Sequence, residues 1–170
     1  ANIRLKIVEE DIKAQIGGTL VGERAFRNLL DQYGQEKILS HIEHLYDSTE
    51  KMVRREIEAI PDGRYEGEST VFSDGVTPGS TMTIRLAVTV QGSDITFDYT
   101  GSSPQTPGFV NAPYAATASG LLLTFLMLIN PEIPHNAGFL RPILIVNPEG
   151  SFLNASFPAA TTFGNSLTGP

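Results

Sequence analysis

Residues 81–100 read TMTIRLAVTVQGSDITFDYT, and this stretch decides the fold class. Apolar and polar residues alternate on both sides of the dipeptide Gly92-Ser93. The apolar members are Met82, Ile84, Leu86, Val88, Val90, Ile95, Phe97 and Tyr99. Two alternating segments joined by a short Gly-containing connection predict an antiparallel β-hairpin with one apolar face. Other elements of the chain must cover that face.

Two amphipathic helices are predicted before the hairpin, over residues 9–33 and 35–60. Apolar residues recur at helical spacing in both segments. They are Ile12, Ile16, Phe26 and Leu30 in the first helix, and Ile38, Ile42, Leu45, Met52, Val53 and Ile60 in the second. Gly34 separates the segments, which predicts an antiparallel helical hairpin. Pro61-Asp62-Gly63 supplies turn residues that end the second helix.

The segments around the β-hairpin complete the predicted fold. A further strand is expected over residues 65–73, an apolar helix over 114–128 and a short buried strand over 143–146. A Gly/Pro-rich loop covers residues 101–113. The predicted class is α+β, with an N-terminal helical hairpin followed by a mainly antiparallel β-sheet with one buried apolar helix. We expect residues 1–62 to form the helical hairpin and residues 63–170 the β-rich portion.

Composition excludes several classes of protein. The chain has 170 residues, a formal net charge of −7 and no cysteine. The acidic balance argues against binding of nucleic acid or of anionic membranes. The missing cysteines exclude disulfides, cysteine-ligated zinc, iron–sulfur clusters and a thiol nucleophile. The longest apolar run is about 10 residues, whereas a membrane span needs roughly 20. No signal peptide precedes the first charged residues, and we expect a cytoplasmic protein.

Charge is distributed unevenly along the chain. Residues 1–64 carry 10 basic and 12 acidic side chains, whereas residues 65–170 carry 2 and 7. So few charges over residues 65–170 suggest that much of the surface of this segment faces another protein or other parts of the same chain. The sequence lacks an initiator Met and ends at Gly169-Pro170 without a closing element. We therefore expect a piece of a longer polypeptide.

The first helix contains a carboxylate on its predicted inward face. Glu23 lies near the centre of the apolar stripe, and Arg27 follows four residues later, where it could form an ion pair. A carboxylate on an inward face costs free energy unless it is paired. Glu23 therefore either forms an ion pair to another element or makes a polar contact in a cavity between domains. Glu56 is a similar case near the end of the second helix.

The Gly/Pro-rich loop leads from a predicted strand into the apolar helix. Asn111 is predicted to be the N-cap of that helix, with Pro113 in its first turn. Helix N-termini approached by such loops can bind anions or carbonyl oxygens. Alternatively, the glycines and prolines only shape a long ordered loop. Long loops in compact domains are often functional.

The histidines and the polar residues near the C-terminal end of the chain each suggest a function only in isolation, without an identifiable partner residue. The sequence contains no P-loop, no HExxH, no GxSxG and no EF-hand motif. His41 and His44 could bind a metal, but their helical positions favour two solvated side chains. His135 is either a general base or part of loop packing. Arg141 is predicted to anchor its loop through carbonyls or a carboxylate. Asn165 lies in a small, polar segment that could line a site.

An ordered series of short motifs resembles the hydantoinase B/oxoprolinase family over roughly residues 9–170. The resemblance rests on the order and spacing of the motifs more than on any single one. They are Asp11-Ile12-Lys13-Ala14-Gln15, Gly22-Glu23-Arg24, Leu29-Leu30 with Tyr33-Gly34, Ile60-Pro61-Asp62-Gly63, residues 97–105 (FDYTGSSPQ), Asn111-Ala112-Pro113, Asn136 with Gly138, Arg141-Pro142, residues 147–151 (NPEGS) and Phe157-Pro158-Ala159-Ala160.

This resemblance implies a fragment of the B-type subunit of an ATP-dependent cyclic-amide hydrolase. Such proteins act on hydantoins, 5-oxoproline and lactams, and related carboxylases act on ketones. ATP and Mg are expected in a hydantoinase A-like partner subunit or domain, which phosphorylates a carbonyl oxygen. A divalent metal is possible in an N-terminal part that precedes this segment. No cofactor and no metal is assigned to this chain, which corresponds to an internal third of a B-type chain.

Within this interpretation, Glu23, Asn111 and Asn165 are the candidate catalytic or polar pocket residues. His135 and Arg141 are the candidates for binding a small cyclic amide or ketone. The chain is expected to work in a hetero-oligomer and to be inactive in isolation. Two alternatives stay open: a component of a related ATP-dependent ketone carboxylase, and a non-catalytic interaction module. Residues 164–170 differ from the commoner Gly-Gly-Asn-Val-Glu-Thr form, which leaves the subgroup and the substrate undecided.

Overall fold

The computed structural model describes residues 5–162 and residue 164. Contacts within the chain divide it into two compact units, Ala1–Leu45 and Tyr46–Pro170. The elements, in chain order, are α1 (Leu5–Tyr33), α2 (Gln35–Glu58), β1 (Gly63–Val71), β2 (Met82–Gln91), β3 (Asp94–Asp98), α3 (Tyr114–Leu128), α4 (Ala137–Leu140) and β4 (Ile143–Val146). No helix among the described residues is long and apolar enough to cross a bilayer.

The first unit contains α1 and the first turns of α2. Gly34 separates the two helices with a φ of 82°, a left-handed conformation that glycine adopts without steric cost. Its amide donates to the carbonyl of Leu30 at 2.8 Å, which closes the last turn of α1. The two predicted helices are therefore confirmed. Apolar side chains along α1, such as Ile16 and Phe26, are exposed.

The sheet of the second unit has the strand order β1-β2-β3-β4. The predicted β-hairpin is confirmed: β2 and β3 pair antiparallel, with Val88 opposite Phe97 and Val90 opposite Ile95. Strand β1 pairs antiparallel with the other side of β2. Strand β4 pairs parallel with β3, so the sheet is mainly antiparallel with one parallel pair. The parallel pair was not predicted from the sequence.

The core of the second unit lies between the helices and one face of the sheet. Residues of α2, α3 and the sheet contribute buried side chains, among them Val53, Ile57, Leu121, Phe125 and Phe97. The rings of Phe97 and Phe125 meet edge to face, with their centroids 5.6 Å apart. Aromatic pairs of this geometry add to the free energy gained from apolar burial.

Helix α3 has the predicted bounds, but only one side of it is buried. Thr117, Leu121 and Phe125 are buried, whereas Met127 and Leu128 on other sides are 79% and 78% exposed. A helix that is apolar on every side needs neighbours on every side, and the described residues cover only one. The prediction of a buried helix therefore holds for one face.

Several predicted boundaries differ from the observed ones. Strand β1 begins and ends two residues earlier than predicted, and α2 ends at Glu58. In β4, half-buried Ile143 and Ile145 alternate with exposed Leu144 and Val146, because β4 is an edge strand and not a central one. The prediction of a buried strand was therefore wrong. The short helix α4 lies in a segment predicted to be a loop.

Candidate functional site

A polar cluster holds together the loops that precede α3. It consists of buried Asp74 and Asn111 and half-buried Thr106, and we call it the polar loop cluster. The carboxylate of Asp74 accepts from the hydroxyl of Thr106 at 2.6 Å and from the amides of Thr77 and Val76 at 2.6 and 2.9 Å. These hydrogen bonds, that of Thr106 first, hold the pKa of Asp74 well below its usual 3.8. Asp74 is therefore a charged group at neutral pH with its hydrogen bonds already made.

Asn111 is the second member of the cluster and is completely buried. Its side-chain oxygen accepts from the amide of Thr106 at 2.9 Å. Its Nδ2 donates to the carbonyls of Thr106, Gly108 and Ala160 at 3.0, 2.9 and 3.0 Å. The side chain thus joins the loop before α3 to the segment around residue 160.

The predicted N-cap role of Asn111 was wrong. The N-cap position of α3 is occupied by Pro113, and no side chain caps the helix there. Pro113 therefore precedes the first turn and does not lie within it. The physical reason is that the side chain of Asn111 is used by the loop carbonyls, which turns it away from the first amides of the helix.

Close backbone contacts around the cluster require glycine. A Cβ on Gly108 would lie 1.9 Å from the carbonyl oxygen of Asp74, and one on Gly164 would lie 2.0 Å from that of Asn111. The amide of Phe109 also donates to the Asp74 carbonyl, at 3.2 Å. Neither Asp74 nor Gly108 was predicted from the sequence to be important. The dipeptide Asp74-Gly75, a common turn signal, was the available indication.

An ion-pair network ties α2 to the other elements of the second unit. Arg141 contacts Asp47 at 2.7 Å and Glu50 at 3.1 Å. Arg54 contacts Glu50 at 2.8 Å and Asp94 at 2.9 Å. Hydrogen bonds from Arg54, and then from Arg141, lower the pKa of Glu50 below its usual value. The prediction that Arg141 anchors its loop through a carboxylate is confirmed, while its role in substrate binding stays a prediction.

Helix α4 packs directly against the backbone of α2. The side chain of Asn136 accepts from the amide of Gly138 at 2.9 Å and donates to the hydroxyl of buried Thr49 at 2.9 Å. A Cβ on Gly138 would lie only 2.1 Å from the carbonyl oxygen of Tyr46. The hydrogen bonds of Asn136 and the close backbone contact at Gly138 therefore explain why these two residue types stand two positions apart. His135 precedes them in an exposed loop, and its role in substrate binding stays a prediction.

The remaining candidate residues lie elsewhere. Glu23 accepts from Arg27 of the same helix at 2.8 Å, which confirms the predicted pairing with Arg27. Its predicted inward position was wrong: Glu23 is exposed, because none of the described residues buries that face of α1. Asn165 lies outside the described residues. His41 and His44 are exposed, and no group of three or more metal-ligating side chains occurs in the part of the chain that the structure describes. The catalytic roles of Glu23, Asn111 and Asn165 stay predictions.

Two concave surfaces lie on opposite faces of the sheet. The first, of about 440 Å³, is lined by charged residues of β1 and β2. Its charges pair internally, Arg64 with Glu66 at 2.8 Å and Arg85 with Glu68 at 3.0 Å. The second, of about 390 Å³, is mainly apolar and lies between the ends of α2 and α3, with Glu56 in its lining. Both have the volume of small-molecule pockets. Among the described residues, neither surface contains a general acid paired with a general base.

The fold and these surfaces define an α+β module with helices over one face of a mixed four-stranded sheet. All of its residues, 1–170, match the family model described as Hydantoinase B/oxoprolinase. The chain therefore belongs to the Hydantoinase B/oxoprolinase family. It is 36% identical to the putative B-type subunit of a D-/L-hydantoinase from Pseudomonas sp. (strain NS671), over 94% of this chain and 29% of that protein. It is 31% identical to 5-oxoprolinase 1 of Arabidopsis thaliana, over 93% of this chain and 13% of that protein.

Two solved structures share the fold. The ATP-dependent caprolactamase from Pseudomonas jessenii matches with a TM-score of 0.78 and 30% identity, over 93% of this chain and 27% of that chain. A nucleotide-free acetone carboxylase matches with a TM-score of 0.71 and 16% identity, over 85% of this chain and 21% of that chain. The second likeness concerns the fold alone. The chain spans less than a third of the length of these proteins.

Proposed function

We propose that this chain is part of the B-type subunit of an ATP-dependent cyclic-amide hydrolase. The observation that carries the proposal is the likeness, in sequence and in fold, to the ATP-dependent caprolactamase. The likeness to the putative hydantoinase component supports the same class of substrate. The complete enzyme would be a cytoplasmic hetero-oligomer with a hydantoinase A-like subunit.

In this proposal the partner subunit, and not this chain, carries ATP and Mg. The described residues gather no cluster of metal-ligating side chains, and the buried carboxylate of Asp74 already accepts three hydrogen bonds. ATP bound to the partner would supply the phosphoryl group that activates the amide carbonyl. The B-type subunit would then supply the pocket in which water attacks the activated carbon.

The role of this chain would be to hold loops in place. The polar loop cluster fixes residues 106–112 through buried hydrogen bonds. A loop held in one conformation before its partner or substrate arrives loses less conformational entropy on binding. The cluster would therefore act on chemistry indirectly, through the geometry of the loop that leads into α3.

The test uses the complete B-type protein together with its A-like partner. Hydantoin, 5-oxoproline and caprolactam are incubated with ATP, and ring opening and phosphate release are measured together. The expected result is hydrolysis of at least one of these rings, coupled to ATP consumption. A properly assembled, ATP-hydrolysing complex that opens no cyclic amide would contradict the proposal.

A matched pair of variants tests Glu23 in the same assay. Glu23→Gln should lower turnover without unfolding the protein if the carboxylate contributes to a pocket in the complete enzyme. Glu36→Gln, an exposed position in the first turn of α2, is the control and should leave turnover unchanged. Equal turnover in both variants would restrict Glu23 to its ion pair with Arg27.

The second candidate function is that of a component of an ATP-dependent ketone carboxylase. The fold likeness to acetone carboxylase favours it. ATP-dependent incorporation of labelled bicarbonate into acetone, without ring opening of any cyclic amide, would select this candidate. A complex with neither activity would favour the third alternative, a non-catalytic interaction module.

A further inference from the structure

The hydroxyl of Thr106 joins two loops that are far apart in the sequence. Thr106 lies in the Gly/Pro-rich loop before α3, and its Oγ1 donates to Oδ2 of Asp74 at 2.6 Å. Asp74 lies in the loop that joins β1 to β2, residues 72–81. Its Oδ1 accepts from the amides of Val76 and Thr77 within that loop. One carboxylate therefore closes its own turn and, through Thr106, holds a second loop.

The chemistry of the three groups fixes the direction of these hydrogen bonds. A backbone amide can only donate, an ionised carboxylate can only accept, and a threonine hydroxyl has a single hydrogen to donate. The amide of Gly108 donates to Oγ1 of Thr106 at 2.9 Å, so the hydroxyl hydrogen of Thr106 is directed at Asp74. The bonds therefore run from Gly108 to Thr106 to Asp74, and we call them the Thr106 relay.

The Thr106 relay also determines the surroundings of Asn111. The buried side chain of Asn111 accepts from the amide of Thr106 and donates to the carbonyls of Thr106 and Gly108. These backbone groups belong to the two residues whose positions the relay fixes. The amide of Phe109, next in the chain, donates to the carbonyl of Asp74 at 3.2 Å. Loss of the relay should therefore release residues 106–109 and the side chain of Asn111 together.

We propose that Thr106 is a positioning residue, whose hydroxyl holds the loop of residues 105–112 in the conformation that the complete enzyme needs for turnover. This inference rests on the proposed function as a cyclic-amide hydrolase. Thr106 does not contact the substrate in this account, and it acts through the backbone of Gly108 and the side chain of Asn111. A displacement of ~1 Å in a group that positions a substrate can reduce the rate by up to about 100-fold.

The hydroxyl is the group that the relay requires, and the shape of the side chain is not sufficient. Thr106→Val keeps the shape but removes the donor to Asp74 and the acceptor for Gly108. Thr106→Ser keeps both. In Asp74→Asn, Oδ1 must still accept from the amides of Val76 and Thr77, so the NH2 group faces Thr106. The hydroxyl hydrogen of Thr106 then loses its acceptor, and a polar group without a partner costs free energy.

The first experiment measures hydrolysis of cyclic amides by the complete B-type protein with its A-like partner. We expect Thr106→Val to lower kcat by ~10-fold or more, and Thr106→Ser to keep it near the parent value. Thr49→Val is the control for stability, because Thr49 is buried in α2 and its hydroxyl accepts from Asn136 at 2.9 Å. This control should lower the unfolding midpoint and leave kcat unchanged.

Three results would overturn the positioning role. They are a Thr106→Val variant with the kcat of the parent, a Thr106→Ser variant as slow as Thr106→Val, and equal losses of kcat in Thr106→Val and Thr49→Val. The last result would mean that turnover follows the stability of the whole fold and does not depend on the loop before α3.

The second experiment measures hydrogen–deuterium exchange in the complete protein and does not depend on activity. The amides of Thr106, Gly108 and Phe109 all donate within the two loops, so a peptide covering residues 105–112 reports on the relay. We expect Asp74→Asn and Thr106→Val each to accelerate its exchange by ~10-fold. The double variant should exchange no faster than either single variant, because both substitutions break the same relay.

The two experiments separate this inference from the function on which it rests. A parent complex that opens no cyclic amide would refute the proposed function. Parent-like exchange of residues 105–112 in Thr106→Val, or additive effects in the double variant, would refute the Thr106 relay itself.

Discussion

Replacement of Asn111 by Ala should strongly destabilise the protein. The side chain is completely buried and makes four hydrogen bonds of 2.9–3.0 Å. Two amide hydrogens serve three carbonyls, so we count three independent bonds at about 1 kcal/mol each. The small cavity that remains adds about 1 kcal/mol. The expected loss in the free energy of unfolding is about 4 kcal/mol, a large share of the roughly 5–15 kcal/mol of a typical domain.

The assay is guanidinium denaturation followed by circular dichroism, with two further variants. Asn111→Asp keeps the shape of the side chain but directs a carboxylate at three carbonyl oxygens, and we expect it to cost at least as much as Asn111→Ala. Asn130→Ala is the control, because Asn130 is exposed and its side chain accepts one bond, from the amide of Glu132. It should change stability by no more than ~0.5 kcal/mol.

The stability and turnover of the Asn111 variants also distinguish a structural role in the loop from direct contact with the substrate. A loss below ~1 kcal/mol in Asn111→Ala, or a well-tolerated Asn111→Asp, would refute the reasoning from hydrogen bonds. If Asn111→Ala keeps its stability while the complete enzyme loses turnover, Asn111 acts on the substrate and not through the loop. If Asn111 acts through the loop that it holds in place, stability and turnover should fall together.

Two further predictions concern neighbouring contacts. Gly138→Ala places a Cβ 2.1 Å from the Tyr46 carbonyl oxygen, and overpacking should lower the free energy of unfolding by about 1–3 kcal/mol. Gly67→Ala is the control, because a Cβ there would meet nothing within 4 Å, and it should lower stability far less. Equal midpoints of the two variants in thermal unfolding would contradict the close approach of α4 to α2. Asp74 has a lowered pKa, so its ionised form stabilises the fold above its usual pKa of 3.8, and that contribution is lost as the pH falls through the lower folded value. Asp74→Asn should therefore be less stable at neutral pH and lose less stability on acidification than the parent, and parallel acid denaturation curves for the two proteins would argue against it.

Local patterns predicted the elements of this fold well. Alternation on both sides of Gly92-Ser93 identified β2 and β3, and the apolar run before Asn130-Pro131 identified α3. Both patterns depend on the period of a single segment, which the sequence displays directly. The parallel pairing of β3 with β4 depends on a partner more than 40 residues away, and no local period encodes the partner of a strand.

The candidate site shows the same difference between local patterns, which the sequence displays, and long-range contacts, which it does not. Asn111 was singled out as a candidate pocket residue, which stays a prediction, and its N-cap role, predicted from its position before a helix, was wrong. Its actual partners include Ala160, 49 residues further along the chain, which no spacing rule would suggest. Gly108 and Gly138 owe their identity to backbone contacts with Asp74 and Tyr46. Such requirements exist only in the folded chain.

The mixed pairing of the sheet has a consequence for the order in which the second unit folds. The β2–β3 connection closes over two residues, whereas pairing of β4 with β3 must close a loop of more than 40 residues, which costs about 3 kcal/mol more in chain entropy. The hairpin should therefore form early, and β4 should join only after the segment containing α3 has collapsed onto it. Substitutions in β4 would then mainly accelerate unfolding, and substitutions in the hairpin would slow refolding. During synthesis, the open edge of β3 would stay exposed until residues 143–146 emerge from the ribosome.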